Sequence, residues 1–208
     1  MAESSELGKV EKPSAEEFQK GRKLFFLPLV FTPEQADPEF KAIAGRFWQQ
    51  AAEHIKGLEE KLSPVRRVYH EWISSGGEEG LKAIDTLESG SREIVKSLAG
   101  KGAEIEPLEE KELVDEYIDW GRCLSVGMVS KQAFTLVYRT YVSVQKKRQE
   151  HIAKKIDETL GADEVGLLVM REGHQVQFPG DIQVFYVAPP ALDELRHWLR
   201  EHEDKPEK

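Results

Sequence analysis

The side chains best suited to chemistry in this chain fall in three stretches that are far apart in sequence. These are Val68-Tyr69-His70-Glu71, the arginine at position 148, and Arg171-Glu172-Gly173-His174. A carboxylate, a guanidinium and an imidazole can together perform acid–base or metal-assisted hydrolysis, and the same three groups can hold a polar ligand without transforming it. Glu71, Arg148 and His174 are therefore the candidate catalytic set. His70, Arg171, Glu172 and Phe31 are the candidate binding contacts, because each stands at the end of an expected strand. No organic cofactor is expected, while the acid and imidazole leave room for a divalent metal.

Arg148 stands out by its position. Residues 141, 144, 148, 152 and 156 form one stripe of a long expected helix, and arginine occupies its middle. A guanidinium on an apolar stripe calls for a carboxylate, since an unpaired buried charge is costly. Its planar fork suits two-point pairing; Glu71 and Glu172 are the candidate partners. Ordinary alternatives stand beside each of these roles. His70 and Glu71 point to opposite faces of a strand, so His70 also fits a half-buried, hydrogen-bonded position. His174 fits an exposed loop, and Arg148 could snorkel along Tyr141 to the helix edge.

Other motifs are absent. His70-Glu71 is not a zincin motif, because Ser74 and Ser75 follow where a histidine is required. Neither Gly-x-Gly-x-x-Gly, a Walker loop nor Gly-x-Ser-x-Gly occurs. Arg122 beside Cys123 admits an activated thiol, while a buried structural thiol is the stronger reading. The Asp115, Asp119, Trp120 and Arg122 set reads as an exposed, ion-paired helix face.

The elements that must position these residues follow from hydrophobic periodicity. Leu24 to Phe31 is a continuous apolar run, which suits a strand covered on both faces. Pro28 within it requires an edge position or a bulge. Asp37-Pro38 opens a helix carrying Phe40, Ile43, Phe47, Ala51 and Ile55. Val65 to Ile73 reads as a second strand. One helix is expected from Leu81 to Leu98, with Glu88-Ser89-Gly90-Ser91 as its interior or a kink. A short strand at Ala103 to Ile105 follows, then helices over 109–124 and 131–160. Strands at 165–170 and 182–187 and a helix opened by Pro189-Pro190 complete the order.

Strands alternating with long helices predict an α/β fold with a mainly parallel sheet of about four to five strands. Pro179-Gly180 admits a hairpin between Val176-Gln177-Phe178 and Ile182-Gln183-Val184, which would make one edge antiparallel. The expected organisation is a flexible tail over residues 1–22, one α/β domain over 23–203, and a charged end over 204–208. In such sheets ligands bind beyond the carboxyl ends of the strands, which is where the candidate residues fall.

Composition narrows the function classes. With 208 residues the chain can bury a full core, and with one cysteine it can form no internal disulfide. The polar N-terminus lacks the apolar core of a secretory signal, and no apolar run reaches bilayer-spanning length. A cytoplasmic protein that neither spans nor binds a membrane is expected. The net charge of −9 opposes a phosphate backbone, and the basic cluster Lys146-Lys147-Arg148 is interleaved with acids, so no nucleic-acid partner is expected. A small molecule or a protein partner remains. Trp48, Trp198 and Phe134 exceed what one domain readily covers, which leaves a homo-oligomer open.

The order of these pieces resembles the TraB / erythromycin-esterase-like superfamily. Members begin with a strand ending in a Gly-x-x-His-like element, followed by a strand carrying a glutamate. A long helix then opens near an arginine in an Arg-x-x-x-(Met/Ile)-Ala-x-x-Ile pattern, and a further strand ends in a second Gly-x-x-His-like element. This chain has Val68-Tyr69-His70-Glu71, then Arg148-Gln149-Glu150-His151-Ile152-Ala153-Lys154-Lys155-Ile156, then Val165 to Met170 and Glu172-Gly173-His174. The resemblance implies a hydrolase-like scaffold in which Glu71, Arg148 and His174 share a site. Two positions depart from it. Phe31 stands where the first histidine would be, and Arg171 where the second glycine would be. Phenylalanine has no lone pair to offer a metal or a proton. The resemblance thus implies a diverged, non-catalytic scaffold member binding a small ligand or a protein partner at the strand rim. The alternative is a metal-assisted or acid–base hydrolase that still uses Glu71, Arg148 and His174.

Overall fold

The computed structural model describes residues 20–87 and 89–203; most of the expected tail (1–19) and the charged end (204–208) lie outside them. In chain order the elements are β1 (Lys23–Pro28), α1 (Pro38–Lys61), β2 (Val65–His70), α2 (Gly77–Asp85) and α3 (Ser91–Gly100). They continue with β3 (Glu104–Glu106), α4 (Lys111–Ser125), α5 (Lys131–Thr159), β4 (Val165–Met170), β5 (Gln183–Tyr186) and α6 (Pro190–Glu203). The five strands form one sheet in the order β3-β2-β4-β1-β5, and every pairing is parallel.

Burial explains this order. All six residues of β1 and of β4 are buried, so these strands take the centre. In β5 half-buried and exposed residues alternate, as an edge strand with one covered face requires. Gly166 lets β4 fit between β1 and β2: a Cβ there would come within 2.9 Å of the Tyr69 ring and 3.1 Å of Leu24. Alternate residues of the strands build two cores. Phe25, Leu27, Val68, Leu167 and Val169 pack towards α1, α3 and α6. Leu24, Phe26, Tyr69, Leu168 and Met170 pack towards Ile152 and Ile156 of α5.

The helix starts carry their own signals. Asp37 caps α1 by accepting from the Glu39 backbone N–H at 2.7 Å, and Ser130 caps α5 by accepting from that of Ala133 at 3.3 Å. Residues 20–22, expected to belong to the tail, are docked: the Arg22 guanidinium reaches Asp181 at 2.7 Å and Asp157 at 2.8 Å.

Four expectations are corrected. The antiparallel edge hairpin does not form, because residues 174–178 are not a strand and β5 runs parallel to β1 from Lys23↔Gln183 to Phe26↔Tyr186. Pro28 lies in a central strand without a bulge. Leu29 donates to Met170 on the β4 side at 2.9 Å, so the proline nitrogen faces the β5 side, where pairing has already ended at Phe26. The helix expected over 81–98 is two, α2 and α3, separated where Gly90 lies against the Trp48 indole. The second strand ends at His70 instead of continuing to Ile73.

Candidate functional site

The site lies beyond the carboxyl ends of β2 and β4. After His70 the backbone makes one more sheet bond, Glu71 N–H to Val169 at 2.9 Å. The chain then turns sharply at Trp72, whose φ of 74° is unusual for a side chain of this size. Trp72 N–H donates to the Glu109 carboxylate at 3.3 Å. Glu109 N–H in turn donates to the Ile73 carbonyl at 3.0 Å. The turn after β2 is thus tied to the segment after β3.

Two carboxylates and two guanidiniums meet there. Arg148, on α5, donates through Nε to Glu109 Oε2 at 2.9 Å and through Nη2 to Glu71 Oε1 at 3.0 Å, with a further bond from Nη2 to Glu109 Oε1. Arg171, just past β4, places its backbone N–H 2.8 Å from Glu71 Oε2 and its Nε 3.1 Å from Glu71 Oε1. Glu71, Glu109 and Arg148 are 1%, 3% and 3% exposed. Burial works against the Arg148 charge, but the Glu109 and Glu71 carboxylates outweigh it and hold the guanidinium firmly protonated. Aromatic rings complete the cage. The Arg148 guanidinium lies 4.7 Å from the Trp72 ring centre and 5.0 Å from that of Tyr117, and Arg171 lies 5.0 Å from Trp72. Tyr141 Oη donates to Tyr117 Oη at 2.9 Å; burial and this contact push the Tyr141 hydroxyl up to about 12.

His174 enters the same region from the loop after β4. It is half-buried, with its ring 4.9 Å from Phe26 and 5.9 Å from Phe178. Its Nδ1 accepts from the Val176 N–H at 3.3 Å, which leaves the proton of the neutral ring on Nε2. Burial holds its pKa below the usual histidine range, although the Glu71 charge opposes this. A cleft of about 200 Å3 is lined by Glu71, Arg148, Arg171, Glu172 and His174, with Tyr117, Gln145 and Gln149 around its mouth.

Three candidates stand elsewhere or do something else. His70 is fully buried on the other side of the strand end. Its Nδ1–H donates to the Glu71 carbonyl at 2.7 Å, so Nε2 accepts from Ser91 Oγ at 2.9 Å. Burial pushes its pKa down. Phe31 bridges to Ser89 and lines a separate apolar cleft of about 260 Å3 with Phe40, Leu192 and Leu195. Glu172, although it lines both clefts, is not the partner of Arg148. Burial pushes its carboxyl up, but hydrogen bonds from Arg196 and Tyr186 outweigh that and hold it below the usual range. Cys123, expected to be buried, is exposed. Three larger grooves, about 610 Å3 between α1 and α3, about 750 Å3 beside β3 and about 550 Å3 lined by Val142, Gln149 and Gln177, contain none of the clustered residues. Among the described residues, no three histidine, cysteine or acidic side chains are grouped to hold a metal ion. No helix among them is long and apolar enough to cross a membrane.

Glu109 is the member that sequence reasoning missed. It follows β3, so the same strand-end rule that selected Glu71 and Arg171 also applies to it. The strand itself is only three residues long, which hides the signal. No family model, curated protein or solved structure matches the chain.

Proposed function

We propose that this chain is a diverged, non-catalytic member of the TraB / erythromycin-esterase-like scaffold, with a cleft at the strand rim that binds a small polar ligand. The observation that carries this reading is the saturation of Glu71. Both of its oxygens already accept hydrogen bonds from Arg148 and Arg171, and its side chain is closed to solvent. A general base or metal ligand needs a free lone pair directed at the reacting group, and this carboxylate has committed its own to holding two guanidiniums. Arg171, with 43% of its side chain exposed, and His174 are the cleft groups left to meet a ligand. Arg171 holds Glu71 through Nε and Nη2 and supplies its remaining N–H groups for a carboxylate or phosphoryl oxygen, and the neutral His174 ring supplies one more N–H.

The second reading, a hydrolase using Glu71, Arg148 and His174, is favoured by their lining one cleft. The two are separated by native mass spectrometry and ester and amide hydrolysis assays, each run before and after Zn²⁺ and Mn²⁺ titration. The binding reading expects no metal-dependent turnover. It also expects a thermal shift with small carboxylates or phosphates that Arg171→Gln abolishes. Metal-stimulated hydrolysis lost in Glu71→Gln would instead establish the enzyme.

A further inference from the structure

The two-helix arm made by α4 and the first half of α5 is held mainly by the packing of these two helices on each other. No residue of α4 is buried, and Val144 is the first residue of α5 that is. On the exposed part of α5, Phe134, Tyr138 and Val142 recur every four residues and keep 45%, 51% and 41% of their surface in solvent. The rings of Phe134 and Tyr138 stack on each other at 5.9 Å, which prolongs the stripe instead of covering it. Trp48 and Trp198, the other large side chains suspected of excess, pack against Phe47 and Phe40 on the body. On the body only Val184, Tyr186 and Leu199 are comparably exposed among the large hydrophobics of the described residues, whereas Val126, Val129 and Leu136 add to the exposed apolar surface of the arm.

Charge on the arm is sorted by helix. On α4, the exposed Glu112, Asp115, Glu116 and Asp119 outnumber Lys111 and Arg122, whereas α5 from 131 to 147 carries Lys131, Arg139, Lys146 and Lys147 and no acid. Most ion pairs of this region join neighbours within one helix, Lys111 to Asp115, Arg122 to Asp119 and Lys146 to Glu150; His151 to Glu110, at the base of the arm, links α5 to the start of α4. Glu116, Lys131, Arg139 and Lys147 take part in no ion pair among the described residues. An acidic helix beside a basic one presents a self-complementary surface. A partner of one sign would be drawn to one helix and repelled by its neighbour, while a second copy related by a two-fold axis offers both signs in the matching order.

We propose that the arm is a dimerisation element: two copies pair their arms into a four-helix bundle, with acidic α4 of each against basic α5 of the other. The bundle covers the Phe134, Tyr138 and Val142 stripe, since two helices alone leave such a face in water. This inference does not depend on the ligand reading, as none of these residues lines the candidate cleft.

Sedimentation velocity with reciprocal charge reversal tests it. The wild-type chain should sediment at twice its 23.7 kDa mass. A variant with α5 reversed (Lys131→Glu, Arg139→Glu, Lys147→Glu) and one with α4 reversed (Glu112→Lys, Glu116→Lys) should each lose about a hundredfold or more in dimer affinity. Circular dichroism and the melting temperature of each reversed variant should match the wild-type monomer, since the changes are on the surface. Mixing the two variants should restore a dimer, because each then offers the sign the other lacks. A wild-type chain that stays monomeric across the accessible concentrations overturns the proposal and leaves the arm to a different protein. Dimers that survive either reversal, or variants that fail to complement, overturn it as well.

Discussion

Two ionic clusters lie side by side at the carboxyl rim of the sheet, and they contrast in almost every physical respect. Glu71, Glu109, Arg148 and Arg171 form one; Glu172, Arg196 and Tyr186 form the other. In the first, both carboxylates and Arg148 are almost closed to water. In the second, the Glu172 and Arg196 side chains keep 39% and 40% exposure, and both remain in reach of solvent ions. The bonds themselves are similar, guanidinium to carboxylate at hydrogen-bonding distance. What differs is the cost of removing one partner. In the closed cluster a stranded charge has no water to turn to, whereas in the open one water takes the place of the lost group.

Removal of Arg148 is expected to have the largest effect. Arg148→Ala leaves Glu71 facing only Arg171 and leaves Glu109 without a cation, both in a site that excludes water. The loss should be about 3–5 kcal/mol, read as a lower urea midpoint with an unchanged slope. Combining it with Glu109→Gln should cost less than the sum of the separate losses, because the second change removes a charge that the first has stranded. A loss below about 0.5 kcal/mol for Arg148→Ala would place this cluster in the same class as the open one.

Glu71→Gln comes next, at about 1–3 kcal/mol. Arg148 keeps its two-point contact with Glu109, so the guanidinium stays paired. Arg171 loses its carboxylate and should become more mobile along with residues 171–174. Faster amide exchange at Arg171, whose N–H now rests on Glu71, would report this directly.

The contrast between the clusters also marks what was legible in the chain. Arg148 declared itself because it breaks an apolar stripe of helical period, and of the two readings of such a break, a buried carboxylate partner and a snorkelling stem, the structure shows the first. Glu71, Arg171 and His174 declared themselves by following runs of strand character. The parallel α/β sheet was legible for the same reason: strand and helix periods alternate strongly enough to survive local ambiguity. The remainder depended on tertiary packing. Glu109 follows a strand with a single fully buried residue, Ile105, and so gave almost no periodic signal. Glu172 was weighed as an Arg148 partner because it follows the 165–170 strand on the same rim as Glu71, but its carboxylate is taken by Arg196 instead. The edge hairpin was suggested by Pro179-Gly180. These residues do turn, but β5 finds an open partner edge on β1, and parallel pairing there wins.

Acid should act on the closed side of the rim. His70 and His174 both have pKa values lowered from 6.5, so the unfolded chain binds protons more readily than the folded one as the pH falls. Their contribution is complete above about pH 6.5 and is lost as the pH falls through the folded values. The melting temperature should therefore decline between about pH 7 and pH 5. His70→Gln should flatten that slope more than His174→Gln, since His70 is fully buried and His174 half-buried. An unchanged slope in both variants would assign the acid sensitivity to other groups.

The open cluster should respond least and in a different manner. Arg196→Ala removes the cation from Glu172 and from Asp193, at 2.8 Å one turn before it on α6. Both acids can then be hydrated where they stand, so the cost should be about 0.2–1 kcal/mol. That cost should shrink further in about 0.5 M salt, where exposed charges are screened within a few ångströms, while the Arg148→Ala penalty stays nearly constant. Salt dependence thus separates the clusters independently of absolute stability. An Arg196 penalty that equals the Arg148 penalty and ignores salt would mean that the outer acid is as closed to water as the inner pair. The rim would then be one continuous dry site extending from Glu109 to Asp193.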